Sequence, residues 1–162
     1  MKQREKGFTI VELIIYTAIL TVFLYVLTSM FTSVLDMQLE SETESAVIQD
    51  SRYILSRFSY DMSRASAIVT PAALGDETNT LVLTIGGTNY TYILVNGNLV
   101  LSYAGGSGSV NSFGTSVSNV SFRRYGNQNG KNGVRIAFTL TSTTQRTFGS
   151  QIRNYQATIG LR

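Results

Sequence analysis

The chain contains no cysteine and no histidine among its 162 residues. It therefore has no disulfide bond, no thiolate nucleophile and no Cys/His zinc site, and it lacks the side chain that most often acts as a general base. The few acids beyond the predicted helix also form no paired constellation of the kind that an active site requires. We expect neither an enzyme nor a protein that holds a cofactor or a metal.

Charged residues are also missing from two long stretches. None occurs from Leu13 to Leu27, and residues 78–122 carry no formal side-chain charge. Acids dominate from Asp36 to Glu77, whereas only bases occur from Arg123 to the end. Such a split predicts that one part of the chain pairs with another part, or with a neighbouring subunit.

A predominantly apolar run extends from Phe8 to about Leu35, after a short basic leader. The run exceeds the roughly 20 residues that a helix needs to cross a bilayer. A secretory signal has a shorter apolar region, of about 7–15 residues, followed by a small-residue cleavage site. Here the one good processing point, Gly7/Phe8, precedes the run. We predict a leader over residues 1–7, a single transmembrane helix over 8–35 and an extracytoplasmic domain over 36–162, with the basic N-terminus in the cytoplasm.

One carboxylate, Glu12, lies inside the apolar run. An isolated charge in the middle of a bilayer costs about 3 kcal/mol on insertion scales. A paired charge costs far less, so a chain with a glutamate at this position is expected to provide a partner for it. Glu12 therefore indicates assembly within a membrane rather than catalysis.

Beyond Leu35 the helical pattern becomes amphipathic and is predicted to continue to about Val69. Apolar residues then recur at spacings of four, four and three, which places one stripe on one helix face: Ile54, Phe58, Met62 and Ala65. We expect this stripe to pack against a sheet. Pro71 and Gly75 are expected to end the helix.

The pattern changes to strands after Gly75. Asn96-Gly97-Asn98 is a strong hairpin signal because Asn-Gly tolerates positive φ, and residues 104–114 are predicted to form an exposed Gly/Ser-rich loop that could carry partner contacts. Strands are predicted over 80–85, 90–95, 99–103, 117–125, 134–141 and 150–161. The predicted fold class is α+β, with a long N-terminal helix packed on one antiparallel sheet over about 80–162.

The segment from Lys6 to Leu13, Lys-Gly-Phe-Thr-Ile-Val-Glu-Leu, closely resembles the processing signal of type IV pilins and type II secretion pseudopilins. The resemblance implies that a prepilin peptidase cleaves after Gly7 and N-methylates Phe8. It also implies that Glu12, as the fifth residue of the mature chain, neutralises the amino terminus of a neighbouring subunit in a filament.

Residues 51–65, with strands 117–123 and 134–140, resemble J-class minor pseudopilins and W-class minor pilins. Pro71 is the only proline, so the N-terminal helix lacks the proline of many major pilins, and the chain also lacks their C-terminal cysteine pair. Both departures favour a minor subunit. The resemblance implies four kinds of partner: other pilin or pseudopilin subunits, the prepilin peptidase, an inner-membrane assembly platform and, before assembly, membrane lipid.

Three alternatives stay open at the level of the sequence. A membrane-tethered binding domain would never polymerise and would keep its leader. A DNA-uptake pilus subunit would use the basic C-terminal sheet, with aromatic residues for base stacking, although strand alternation should bury many of them: Phe122, Tyr125, Phe138 and Tyr155. Asp76-Glu77 could suggest calcium, but a solvated turn is favoured because no spacing supplies the six or more oxygen ligands of such a site.

Overall fold

The computed structural model describes residues 7–127, 130–144 and 149–162, so most of the predicted leader lies outside the described residues. One long helix, α1 (Ile10–Arg64), is followed by antiparallel β-structure, which confirms the α+β layout with an N-terminal helix. The chain divides into two compact units, Met1–Leu39 and Glu40–Arg162.

Within the described residues of the second unit, nine strands form two antiparallel sheets rather than the single sheet that was expected. One sheet has the order β1-β3-β4-β5-β6 and the other the order β2-β7-β8-β9. The strands are β1 (Ala67–Thr70), β2 (Glu77–Thr78), β3 (Thr80–Ile85), β4 (Thr88–Val95), β5 (Asn98–Tyr103), β6 (Gly106–Ser109), β7 (Thr115–Tyr125), β8 (Gly133–Ser142) and β9 (Ile152–Gly160).

The chain leaves the first sheet through a short link between β6 and β7. The side chain of Asn111 closes the end of β5, since its Oδ1 accepts from the Leu99 N–H and its Nδ2 donates to the Thr115 carbonyl. Asp50 of the helix accepts hydrogen bonds from the Ser112 N–H and from the hydroxyls of Ser112 and Thr115. These polar contacts hold the link against α1, so β7 starts a second sheet. Asp50 and Asn111 were not singled out in the sequence.

Six of the nine strands occur where the alternation predicts them, and the hairpin at Asn96-Gly97 is confirmed. Asn96 and Gly97 have φ values of 49° and 77°, as this two-residue connection between β4 and β5 requires. The exposed Gly/Ser-rich segment is not a simple loop, because Gly106–Ser109 pairs with β5 as an edge strand. Strand β6 was not predicted because glycine, which occupies two of its four positions, has low strand propensity.

The helix ends at Arg64, five residues before the predicted end at about Val69. The Ser66 N–H and hydroxyl both donate to the Thr84 carbonyl, and Ala67–Thr70 pairs with β3 as strand β1. The segment Ile68-Val69-Thr70 is entirely β-branched, so it fits a sheet edge better than a last helical turn. Pro71 and Gly75 therefore follow a strand and do not end the helix.

The apolar stripe of the helix packs as predicted. Ile54, Phe58 and Met62 are fully buried, and Ala65 is nearly so. The Phe58 ring lies 6.4 Å from the ring of Tyr92 in the first sheet and 6.5 Å from that of Phe122 in the second. One helical side chain thus joins the helix to both sheets.

We expect Phe58→Ala to lower the free energy of unfolding by roughly 3–5 kcal/mol, because it leaves a cavity where the three layers meet. Tyr53→Ala is the control, since that ring on the same helix is 54% exposed and its loss should cost far less. Denaturant unfolding of the detergent-solubilised chain, followed by near-ultraviolet circular dichroism, would measure both. Equal losses would show that Phe58 does not join the layers.

Candidate functional site

The start of α1 is fixed by Thr9, which precedes the first helical residue, Ile10. The Thr9 hydroxyl accepts a hydrogen bond from the Glu12 N–H at 3.3 Å, and the Leu13 N–H donates to the Thr9 carbonyl at 3.1 Å. Threonine followed three residues later by glutamate is the sequence signature of a helix N-cap. Thr9 was not singled out in the sequence, although its spacing from Glu12 carries this signal. Gly7 and Phe8 therefore lie outside the helix, just ahead of its first residue.

Three side chains share one face at the start of this helix. Phe8 and Tyr16 have ring centroids 5.7 Å apart, and the Tyr16 hydroxyl donates to Glu12 Oε1 at 3.4 Å. Among residues 7–42, Glu12 alone is half-buried and every other residue is exposed. Phe8 and Glu12 are therefore brought together on one face, and Tyr16, which the sequence did not single out, completes the cluster. Among the described residues, this one long hydrogen bond leaves most of the acceptor capacity of the carboxylate unused.

Packing does not explain the glycine at position 7. A Cβ placed on Gly7 would meet no atom within 4 Å, and its φ does not lie in the left-handed region that favours glycine. Within this chain a larger residue would fit without strain. Among the described residues, none would therefore be contacted by a side chain at position 7.

The apolar part of α1 is long and apolar enough to cross a membrane, with a mean hydropathy of 2.4 over its most apolar window and none of that window buried. Its threonine hydroxyls do not need water. Those of Thr17, Thr21 and Thr28 donate to carbonyl oxygens four residues earlier at 2.8–3.0 Å. Because polar groups in hydrocarbon must be satisfied internally, this arrangement suits single-pass membrane anchoring.

In the described part of the chain, no group of three or more acidic residues gathers in a way that could hold a metal ion. Asp76 accepts a hydrogen bond from the Ala73 N–H at 3.0 Å within a turn, and Glu77 is exposed at the start of β2. These contacts are those of the solvated turn that the sequence favoured.

A buried carboxylate lies between the helix and the first sheet. Asp61 is fully buried, and its Oδ2 accepts hydrogen bonds from the Tyr92 hydroxyl at 2.6 Å and from Arg57 Nε at 3.0 Å. Burial raises the pKa of Tyr92 above its ordinary range, and the hydrogen bond to Asp61 and the charge of Asp61 raise this pKa further. The carboxylate is closed off from solvent, so the cluster stabilises the fold and offers no reacting group.

This pKa shift predicts a loss of stability in alkaline solution. Folding favours the neutral phenol of Tyr92, so its contribution is fully present below the unfolded pKa of about 10 and is lost as the pH rises above that value. We expect the free energy of unfolding to fall as the pH rises from about 9.5 to about 11, because the tyrosine ionises in the unfolded chain over this range. The fall should be less steep in Tyr92→Phe. Denaturant titrations across this range would measure both slopes, and equal slopes would contradict the prediction.

Part of the basic C-terminal region is committed to the fold. Phe122 and Phe138 are buried, as strand alternation predicted, so they have no free face for a nucleic-acid base. Arg124 donates to three backbone carbonyls, those of Ile68, Pro71 and Ala72.

Two more features of this region bear on its charge. Arg153 pairs with Glu44 of the helix, which realises the acid–base pairing within the chain that the charge split suggested. The exposed residues Arg123 and Arg135 form a cluster with Tyr125, in which their guanidinium groups lie 5.5 and 5.1 Å from the half-buried Tyr125 ring. Arg146 lies outside the described residues.

No family model, no curated protein and no solved structure matches this chain.

Proposed function

We propose that this chain is a minor pilin or pseudopilin, a structural or initiation subunit without catalytic activity. A prepilin peptidase cleaves it after Gly7 and methylates Phe8, and its N-terminal helix then assembles with those of other subunits into a type IV pilus or a type II secretion pseudopilus. The observation that carries the proposal is Glu12, which is half-buried while every other residue from 7 to 42 is exposed.

Two further observations support the same function. Gly7 is exposed and free of packing demands, which suits a residue that must enter the active site of a peptidase. The exposed apolar residues of the first unit have no covering in the isolated chain, and a contiguous apolar surface of this kind marks a membrane or a protein interface. Membrane lipid covers it before assembly, and the helices of neighbouring subunits cover it afterwards.

The proposed topology places the basic leader in the cytoplasm and residues 36–162 outside the cytoplasmic membrane. The assembly platform in the inner membrane receives the chain in this orientation. In the assembled filament the apolar surfaces of neighbouring helices would pack together. The positive amino terminus of a neighbouring processed subunit would then neutralise Glu12 among these helices.

Processing is the direct test. We expect the membrane-extracted chain to begin at N-methylated Phe8 when a prepilin peptidase is co-expressed, and at Met1 when it is not. Intact mass and N-terminal sequencing distinguish the two. Gly7→Ala is the matched variant: it should fold normally, because its Cβ meets nothing, yet it should be cleaved more slowly. Cleavage downstream of the apolar run, or an intact Met1 with the peptidase present, would reject the proposal in favour of a secreted or a tethered domain.

A DNA-uptake subunit is the second candidate, favoured by the Arg123, Tyr125 and Arg135 cluster alone. Phosphate contacts from two arginines beside one aromatic ring would give weak binding that depends strongly on salt. Retention of single-stranded DNA that is lost in Arg123→Ala would support it.

A further inference from the structure

A cavity of about 280 Å³ lies between α1 and the edge strand β6. The helix contributes Tyr53 and Arg57 to its wall, and β5 contributes Leu101 and Tyr103. Residues 105–109 and Val110 form the remaining wall. All of these residues belong to the second unit.

The cavity exists because β6 has no side chains on its inner face. In the β5–β6 register, Gly108 lies opposite the buried Leu101 and Gly106 opposite Tyr103, so both glycines occupy positions that face the helix. A Cβ built on either glycine would meet no atom within 4 Å. The space that larger residues would fill is therefore left open along the margin of the core.

The same strand exposes its backbone. The Val110 N–H donates to the Leu99 carbonyl at 2.7 Å, and hydrogen-bonded pairs alternate along an antiparallel ladder. The backbone groups of Gly106 and Gly108 are thus directed toward β5, while the N–H and C=O groups of Ser107 and Ser109 are directed outward. Proteins commonly protect such edges with lysine, proline or a bulge, and β6 has none of these.

The cavity has one charged group in its wall, the guanidinium of Arg57. Its Nε donates to Asp61, and that carboxylate is fully buried. A ligand that enters the cavity would therefore contact the guanidinium and not the carboxylate. Tyr53 and Tyr103, which are 54% and 42% exposed, line the same wall, and each carries a hydroxyl that can donate a hydrogen bond. A carboxylate matches this set of donors, since arginine and carboxylate form charge-assisted hydrogen bonds.

We propose that β6 and this cavity accept an extended segment of a partner protein, which adds to the sheet as a further strand. Main-chain hydrogen bonds to Ser107 and Ser109 would hold the segment, and its inward side chains would enter the cavity, with an acidic residue facing Arg57. The partner segment therefore alternates, with β-branched and acidic side chains on its inner face. This inference does not depend on the proposed function of the N-terminal helix.

The test uses the full chain in detergent and a fluorescent, capped heptapeptide, Thr-Val-Thr-Glu-Thr-Val-Thr. We expect saturable binding by fluorescence anisotropy. Gly108→Val fills the cavity from the inner face and should weaken binding by about tenfold or more. Ser102→Val is the matched control: it introduces the same side chain on the outer face of the neighbouring strand β5, away from the cavity wall, and should leave the affinity within about twofold. Replacing the glutamate of the peptide by glutamine should weaken binding by about tenfold.

Circular dichroism and the thermal midpoint of Gly108→Val should match or exceed those of the parent, because the new side chain enters open space. Absence of saturable binding, or equal binding by Gly108→Val and Ser102→Val, would overturn the proposal. Concentration-dependent self-association that disappears in Gly108→Val would assign the groove to a second copy of this chain, which would also overturn the choice of a foreign partner.

Discussion

Glu12→Gln is expected to abolish incorporation of the chain into filaments while leaving its membrane insertion intact. The substitution preserves the size of the side chain and removes its charge. In the proposed function the carboxylate neutralises the amino terminus of a neighbouring subunit, and without it that positive charge would lie unpaired among apolar helices. Breaking a buried ion pair by removing one partner costs about 3–5 kcal/mol, enough to reduce assembly by more than a hundredfold.

Quantitative immunoblotting of sheared filaments, beside the membrane fraction, would measure this effect. Glu42→Gln is the matched control, because it makes the same chemical change on the same helix at an exposed position outside the apolar run. Tyr16→Phe distinguishes the hydrogen bond within the chain from the proposed contact with the neighbouring amino terminus. It removes only the long hydrogen bond to Glu12 Oε1, so the variant chain should still be incorporated into filaments. Normal assembly of Glu12→Gln would favour the alternative of a tethered domain that never polymerises.

Arg57→Met is expected to destabilise the second unit by roughly 3–5 kcal/mol. Burial lowers the pKa of Arg57, but the charge of Asp61 and its hydrogen bond outweigh this effect and hold the pKa above its ordinary value. Methionine keeps the apolar stem and removes the cation, so it leaves the fully buried Asp61 with the Tyr92 hydroxyl alone. The low end of the range applies, since the Arg57 side chain is 31% exposed.

Arg52→Met provides the control for that experiment, because Arg52 is exposed on the same helix and its loss should change stability by about 0.5 kcal/mol at most. Denaturant unfolding at pH 7 gives both values. The Asp61→Leu and Arg57→Met double variant should recover part of the loss, since it removes the unpaired carboxylate together with the cation. Equal stability of the two arginine variants would show that Asp61 does not need its cation.

Local patterns were sufficient to predict much of this fold. Strand alternation located six strands, and Asn96-Gly97 located a hairpin, because both depend on neighbours within a few residues. The stripe that includes Phe58 gave the buried face of the helix for the same reason. The prediction of a single sheet was wrong, since Asp50 of the helix binds the link that contains Ser112, far away in the sequence. The predicted end of the helix was also wrong, because the residues after Arg64 pair with β3 as strand β1.

The candidate site of the first unit follows the same rule. Gly7, Phe8 and Glu12 could be selected from the sequence because their relation is one of spacing along one chain. Thr9 and Tyr16 lie three and four residues from Glu12, so both contact it once the chain is helical. What Glu12 pairs with in an assembly depends on another molecule, so it stays a prediction.

By itself, the sequence determined an apolar helix that follows a glycine junction, its single carboxylate, the exclusion of cysteine and histidine chemistry, and the strand-rich second half. These depend on composition and on short-range periodicity. Only the tertiary structure decided that there are two sheets, that Asp61 has Arg57 and Tyr92 as partners, and that a glycine-lined cavity opens beside β6. Each of these joins residues far apart in the chain, where packing and burial, rather than local propensity, set the free energy.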